Sequence, residues 1–274
     1  QKVINPMLFG LPILDRTHPI INSILIYHHD GRKELIKTTK IKDDQYKLTH
    51  QPNIEGPFNI AVNTFDLLDA APNKNGVYSI ELHVNDSLYF SNVMNSFAFS
   101  ETRYINSHID YESYTNSGQK FQKCFLDPNN KISTNDKNSK HKIGYLSSDQ
   151  EFKIKFIIKD SYLNSSTLEF KTEFLSNKLN LHNKNDLLVK KSFINSRQVF
   201  EFKDAEFEIY IPNHSLYKDY NFNYRKIMDT LNSWPTYQIL HDSIPSHKSF
   251  IITIDASQIP VKLRDKALIG RYSK

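Results

Sequence analysis

The chain of 274 residues is long enough to form one or two domains with a buried core. It carries 35 basic and 30 acidic residues in an interspersed pattern, so its net charge of +5 does not indicate a nucleic-acid-binding surface. Fifteen tyrosines and eighteen phenylalanines beside a single tryptophan favour a β-rich fold. The one cysteine, Cys124, excludes a disulfide bond within the chain, and no apolar run reaches the roughly 18 residues that a transmembrane helix needs.

Residues 1–17 are predicted to form an N-terminal segment that precedes the first domain. Within it, the apolar run 7–9 predicts a short strand, and Gly10 follows as a turn residue. The sequence begins at Gln1, without a methionine and without a signal-like charged and apolar stretch. We therefore expect either a processed protein or part of a longer one.

Residues 18–175 predict an antiparallel, immunoglobulin-like β-sandwich. Its centre is the stretch 60–90, in which apolar residues alternate with polar ones on both sides of a turn-rich segment at 66–76. The tripeptide Asn-Asp-Ser at 85–87 then predicts a tight turn into the next strand.

The same order of features occurs a second time near the end of this domain. A strongly alternating strand leads to Asp160 and an asparagine-containing turn, after which a further strand follows, much as the earlier strand leads to Asp66 and its turn. This repetition is typical of the last two strands of an immunoglobulin-like sandwich.

One helical insertion, residues 100–118, is predicted inside the sandwich. Ser100 suits the N-cap, apolar and aromatic side chains recur at spacings of three and four, and Gly118 suits the C-terminal end. A polar loop follows at residues 127–150, where asparagine, lysine, serine and aspartate predominate.

The remaining sequence indicates a linker and a second domain. Residues 176–186 are polar and predict the linker, and residues 187–274 predict a second β-rich domain punctuated by prolines. Its last apolar run, 267–272, predicts a strand without a partner after it, so we expect this domain to be an incomplete sandwich.

Three stretches carry a resemblance to a known family. They are VINPMLFGLPILDRTHPIINS (residues 3–23), APNKNGVYSIEL (residues 71–82) and ETRYINSHIDYESY (residues 101–114). These stretches resemble the accessory region after the catalytic domain in Bacteroidota envelope metallopeptidases of the lysostaphin/LytM type, and the similarity extends in order over nearly the whole chain. The resemblance implies a β-sandwich in the cell envelope, periplasmic and associated with the outer membrane.

In that family the zinc ligands lie in the upstream peptidase domain, so the resemblance implies no catalytic residue, metal ligand or cofactor in this chain. The sequence offers His28-His29, His108 with Asp110, and His241-Asp242 as pairings. Adjacent residues of a strand point to opposite faces, and a zinc site needs three or four converging ligands. We therefore interpret these histidines as surface or strand-edge residues and expect zinc only in an upstream domain.

Two groups of side chains are candidates for interactions. Residues typical of interface hot spots lie on the helical insertion, and the alternative is that its tyrosines pack onto the sandwich. The residues of this candidate docking surface are Arg103, Tyr104, His108, Tyr111 and Tyr114. In the second domain, Trp234 and Tyr237 are a weaker candidate platform for a sugar or a protein partner, with a core role for Trp234 as the alternative.

Three functional hypotheses follow. The first is a non-catalytic docking or positioning module of a periplasmic cell-wall metallopeptidase-like protein, with envelope or outer-membrane proteins and peptidoglycan as the expected partners and with no nucleic acid. The second is part of an active zinc peptidoglycan endopeptidase whose catalytic domain lies upstream. The third is a structural subunit of an outer-membrane complex. The intact mass and zinc content of the natively expressed polypeptide discriminate between the first two hypotheses, and stable co-purification with a membrane complex indicates the third.

Overall fold

The computed structural model describes residues 2–10, 13–69, 71–136, 143, 151–175, 192–228, 235–257 and 259–270. The chain divides into two compact units, Gln1–Lys184 and Asn185–Lys274, and the predicted linker at 176–186 lies outside the described residues. Both units are mainly β, as predicted. Within the described part of the chain, no helix combines the length and the apolar character needed to cross a membrane.

The first unit consists of strands with a few short helices. Its strands are β1 (Lys2–Ile4), β2 (Ile20–Tyr27), β3 (Lys33–Lys42), β4 (Gln45–Leu48), β5 (Ile54–Glu55), β6 (Asn59–Leu67), β7 (Lys74–Asn75), β8 (Ser79–Val84), β9 (Ser87–Val93), β10 (Ser96–Ala98), β11 (Gln122–Lys123), β12 (Glu151–Lys159) and β13 (Ser165–Leu175). Its helices are two 3-10 helices, Pro6–Phe9 and Phe99–Tyr104, and the α-helices α1 (Ile105–His108) and α2 (Tyr111–Ser117).

The main strands form one hydrogen-bonded path in the order β11-β6-β2-β3-β4-β13-β12-β8-β9. Strand β3 pairs with β2 through residues 33–37 and with β4 through residues 38–42, so it belongs to both layers of the sandwich. Strand β13 lies between β12, to which it is antiparallel, and β4, to which it is parallel. Strand β5 also pairs with β13 in parallel.

The core lies between the two layers and is built by the alternation predicted from the sequence. Ile60 and Val62 of β6 face it from one layer, and Ile154, Phe156 and Ile158 of β12 face it from the other, all with at most 1% exposure. The turn predicted at 85–87 is also present, because Asn85 and Asp86 adopt the left-handed conformation between β8 and β9.

The N-terminal segment contains one error of prediction. Residues 6–9 form a 3-10 helix, whereas a strand was predicted at residues 7–9. The Oδ1 atom of Asn5 accepts a hydrogen bond of 3.1 Å from the Met7 N–H, Pro6 occupies the first helical position, and Gly10 ends the helix with φ of 69°. These capping features outweigh the strand propensity of three apolar residues.

The second unit contains further short strands and one helix. They are β14 (Ser192–Ile194), β15 (Phe200–Lys203), β16 (Phe207–Ile211), β17 (Tyr220–Phe222), β18 (Tyr224–Met228), β19 (Pro235–Ile239), β20 (Ile251–Ile254) and α3 (Val261–Arg264). The strands pair as β14 with β17, β15 with β16 and β20, and β18 with β19. Its core contains Phe207, Ile209 and Ile211 of β16 together with Leu216 and Phe222.

The prediction of a strand at residues 267–272 is wrong for residues 267–270, which are the part of this range that the structure describes. Residues 267–270 have no strand conformation, and the turn of helix α3 immediately precedes them. Leu268 is 95% exposed and Ile269 is 67% exposed, so this apolar run buries almost nothing. An apolar sequence forms a strand only where a neighbouring strand supplies hydrogen bonds, and none pairs with it among the described residues.

Candidate functional site

The helical insertion is present, and it consists of three short helices. The first is the 3-10 helix that starts at Phe99, one residue before the predicted N-cap Ser100, and α1 follows it directly. Helix α2 then starts separately after Asp110, and Gly118 ends it in the left-handed conformation, as predicted, with its N–H donating to the Tyr114 carbonyl.

Asp110 anchors helix α2 to the sandwich. Its Oδ1 atom accepts the Ser113 N–H at 2.9 Å, which caps the helix. Its Oδ2 atom accepts the Tyr27 hydroxyl of β2 and the Lys33 ammonium of β3, each at 2.8 Å. Lys33 also donates to the exposed Glu112 carboxylate at 2.6 Å. One buried carboxylate therefore joins the helix to two strands of the sheet.

The charges at this anchor are well matched. Burial on its own raises the pKa of Asp110, but hydrogen bonds from Lys33 and Ser113 reverse this effect and lower the pKa to about 2. Burial and the nearby Asp110 carboxylate raise the pKa of Tyr27 well above its usual value. At neutral pH the carboxylate is thus ionised and accepts hydrogen bonds from a protonated phenol and an ammonium group.

A second buried carboxylate fixes helix α1. Asp127 accepts the Ser107 hydroxyl at 2.6 Å and the Lys123 ammonium at 2.9 Å, and all three residues are buried. Since Ser107 lies on α1 and Lys123 on β11, this contact holds the insertion against the edge of the first layer. The two carboxylates together make the insertion a fixed part of the sandwich.

The five predicted docking residues differ in their environment. Arg103 is exposed and Tyr114 is 41% exposed, whereas Tyr104 and Tyr111 are half-buried. The Tyr111 and Tyr114 rings lie 6.3 Å apart, and the Lys120 ammonium is 5.9 Å from the Tyr114 ring. The insertion therefore presents Arg103 and the edge of the tyrosine pair to solvent.

The interpretation of the histidines as surface or strand-edge residues is wrong for His108, which lies in helix α1, and His28, which directly follows strand β2, is not a surface residue either. His108 is 5% exposed, because it lies on the face of α1 that packs against the sandwich, and His28 is 6% exposed. The His28 Nε2 atom lies 3.2 Å from a Glu34 carboxylate oxygen. In contrast, the neighbouring His29 and also His241 are exposed. His108 is thus excluded from the docking surface.

The burial of His108 predicts a pH dependence of stability. Burial lowers its pKa to about 4, and the opposing effect of the Gln122 side chain is smaller. An unfolded histidine titrates near 6.5, so the unfolded state binds a proton first as the pH falls, and stability is lost between about 6.5 and 4. We expect His108 to cost about 2 kcal/mol of stability between pH 7 and pH 5.

This prediction is tested by urea denaturation of the natural protein and of His108→Gln at both pH values. The variant should show a smaller loss of stability at pH 5 by about 2 kcal/mol, whatever its stability at pH 7. Parallel pH curves for the two proteins would contradict the prediction.

An open groove lies between helix α2 and the first layer of the sandwich. Its volume is about 290 Å³, and its lining combines apolar side chains from the sheet with polar side chains from the helix. The lining residues are Leu25, Lys33, Leu35, Glu112, Ser113, Asn116, Ser117, Gln119 and Phe121. Leu35 is 46% exposed within it, although its backbone belongs to strand β3. We call these nine residues the α2 groove.

The second candidate platform is described only in part. Trp234 lies outside the described residues. The Tyr237 ring stacks on the Phe207 ring at a centroid distance of 5.4 Å, and its hydroxyl donates to Glu206 at 3.1 Å. Phe207 is 1% exposed, so this stacking makes Tyr237 part of the packing of the second unit.

The structure also brings together three carboxylates that the sequence analysis did not group. Asp15 precedes β2, Asp66 lies in β6, and Asp160 directly follows β12. All three are buried, and one carboxylate oxygen from each lies within 4.8 Å of the other two. The repeated pattern of strand, aspartate and turn marked two of them in the sequence, but no local pattern marked Asp15.

The comparisons with known proteins concern the second unit. Residues 191–274 match the family model of the Zu5-like domain. Searches of curated proteins and of solved structures found no match to the chain. The matched range begins within the second unit and therefore does not bear on the α2 groove or on the three carboxylates.

Proposed function

We propose that the chain is a non-catalytic β-sandwich region of a periplasmic cell-wall metallopeptidase-like protein and acts as a protein-docking or positioning module. The observation that carries this proposal is the α2 groove, which lies beside a helix that Asp110 fixes to the sheet. A recognition element on a fixed backbone loses little conformational freedom when a partner binds.

The chemistry of the groove supports a protein partner. Leu35, which is 46% exposed, supplies apolar surface beside the buried Leu25 and Phe121, while Lys33 and Glu112 supply one charge of each sign at the same place. An apolar floor with a polar rim is typical of protein interfaces. Arg103 and Tyr114 on the same insertion add the two residue types that are often hot spots.

Site-specific photo-cross-linking tests this proposal. A photoreactive phenylalanine derivative in place of Asn116, in the groove, should form one discrete adduct when the substituted protein is irradiated in the envelope fraction of its own cells. Mass spectrometry of the adduct then shows whether the partner is an envelope protein or a peptidoglycan fragment. The same group at Leu163, which is 65% exposed on a turn elsewhere in the first unit, is the matched control.

The variant Leu35→Asp places a charge on the apolar floor and should remove the Asn116 adduct while leaving the fold intact, because the side chain is already half exposed. Equal adduct patterns from Asn116 and Leu163 would overturn the proposal. An adduct that persists in Leu35→Asp would also overturn it.

A further inference from the structure

The three carboxylates of Asp15, Asp66 and Asp160 lack a counter-charge among the described residues. Their exposed fractions are 7%, 5% and 1%, and no lysine, arginine or histidine of the described chain forms an ion pair with them. The Asp15 Oδ2 and Asp66 Oδ1 atoms are buried and have no hydrogen-bond partner. Buried charged groups in proteins are normally paired or bound to a metal ion.

The carboxylates of Asp15 and Asp160 are held in place by hydrogen bonds. Asp15 Oδ1 accepts the N–H groups of Thr17 at 3.0 Å and Asp69 at 3.2 Å. Asp160 Oδ1 accepts the Tyr162 N–H at 2.8 Å and the Asn164 N–H at 2.9 Å, and Oδ2 accepts the Asn164 side-chain amide at 2.7 Å.

The Asn164 amide also bridges these two residues. Its nitrogen donates to the carbonyl oxygen of Asp15 at 3.1 Å as well as to the Asp160 carboxylate. Such supporting contacts are those that orient metal ligands in proteins. Asp15 Oδ2 and Asp66 Oδ1 are thus buried carboxylate oxygens of the cluster without a hydrogen-bond partner among the described residues.

We propose that Asp15, Asp66 and Asp160 bind one Ca²⁺ ion. Ca²⁺ prefers oxygen ligands, and carboxylates are foremost among them. With Ca–O distances of roughly 2.4 Å, two oxygens on one ion lie at most about 4.8 Å apart, and the three oxygens of this cluster lie within that limit. The cluster contains no nitrogen or sulfur donor, and such donors are the ones that characterise structural and catalytic zinc sites.

A cation here would join three distant parts of the sequence. Asp15 belongs to the N-terminal segment, Asp66 to β6 in one layer, and Asp160 to the turn between β12 and β13 in the other layer. The ion would therefore fix the N-terminal segment at this end of the sandwich and hold the two layers together there. The exposed Asp69 carboxylate, which accepts the Thr17 hydroxyl at 2.6 Å, adds negative charge near the site.

The rival explanation is a proton shared among the three carboxylates. Burial and the nearby Asp160 and Asp15 carboxylates raise the pKa of Asp66 to about 6, which is the direction expected for crowded like charges without a cation. A shared proton and a bound Ca²⁺ ion both relieve the repulsion, but only the second makes stability depend on Ca²⁺.

The test uses the full chain at pH 7.5, freed of metal with a chelator and then titrated with CaCl₂ or MgCl₂. Calorimetric titration should show one Ca²⁺ ion per chain, and Ca²⁺ at 100 times its dissociation constant should raise the unfolding temperature of the first unit by several degrees. Asp66→Asn removes the charge of one proposed ligand and leaves the hydrogen bonds that Asp15 and Asp160 accept in their turns. This variant should weaken Ca²⁺ binding at least tenfold.

Two comparisons keep the proposal falsifiable. In chelator, Asp66→Asn should be at least as stable as the natural protein, because it removes like-charge repulsion, and this result shows that the variant folds. Asp43→Asn, at a carboxylate that is 93% exposed, should bind Ca²⁺ as the natural protein does. The proposal would be overturned if the natural protein bound no Ca²⁺ up to millimolar concentrations. It would also be overturned if Asp66→Asn bound Ca²⁺ as tightly as the natural protein, or if only Mg²⁺ bound and raised the unfolding temperature.

Discussion

Replacing Asp110 with alanine should lower the free energy of unfolding of the first unit by about 3 kcal/mol. The substitution removes the cap of helix α2 and the acceptor of both the Tyr27 hydroxyl and the Lys33 ammonium. The phenol and the ammonium would then be left without this acceptor in a buried environment, which costs more than the loss of the contacts themselves. Since the Lys33 side chain is 30% exposed, water offsets part of the cost.

Two related variants separate the contributions. Asp110→Asn keeps a good capping residue and loses the charge, so it should cost about 2 kcal/mol. Glu112→Ala removes the other, 46% exposed partner of Lys33 and should cost less than about 1 kcal/mol. Native-state hydrogen exchange of the β2 and β6 amides measures these values for the first unit alone. Equal effects of Asp110→Ala and Glu112→Ala would show that Asp110 is not the anchor.

Replacing Phe156 with alanine should lower the free energy of unfolding of the same unit by about 4 kcal/mol. The Phe156 ring is 0% exposed, and its strand β12 pairs with both β13 and β8, so the backbone cannot move inward to fill the space. The cost combines the lost transfer of the ring from water with the cavity that remains.

The neighbouring Ile157 is the control for this second prediction. It lies on the same strand but points to the other face, where it is half-buried. Ile157→Ala should therefore cost no more than about 1 to 2 kcal/mol in the same hydrogen-exchange measurement. If the two variants cost the same, the core would not lie between the two layers as described.

The sandwich was largely predictable because the alternation of buried and exposed residues is local. Along β12, every second residue is apolar, and the structure buries those residues. The strand predictions at residues 7–9 and 267–270 were wrong because three or four apolar residues do not form a strand without pairing partners. At the first of these places a cap and a proline decided the conformation, and at the second no neighbouring strand is present among the described residues.

The functional residues were less predictable, for a different reason. The sequence identified the helical insertion, but a helix as short as α1 does not show which face is inward, so His108 was assigned to the surface and is buried. Asp110 was considered only as a metal ligand, whereas its partners Tyr27 and Lys33 are about 80 positions away. Asp15, Asp66 and Asp160 are far apart in the sequence, and only the folded arrangement of the N-terminal segment, β6 and the turn after β12 brings them together.

The position of strand β13 has a consequence for synthesis of the protein on the ribosome. Among the described residues, this strand is the last of the first unit, yet it lies in the middle of its layer, between β12 and β4. Until residue 175 has left the exit tunnel, the strands on either side of this position have no common partner, and their apolar faces stay open to water. We expect the first unit to complete its folding only after β13 emerges, so that a nascent chain stalled before residue 165 exposes sheet edges to which chaperones and other nascent chains bind.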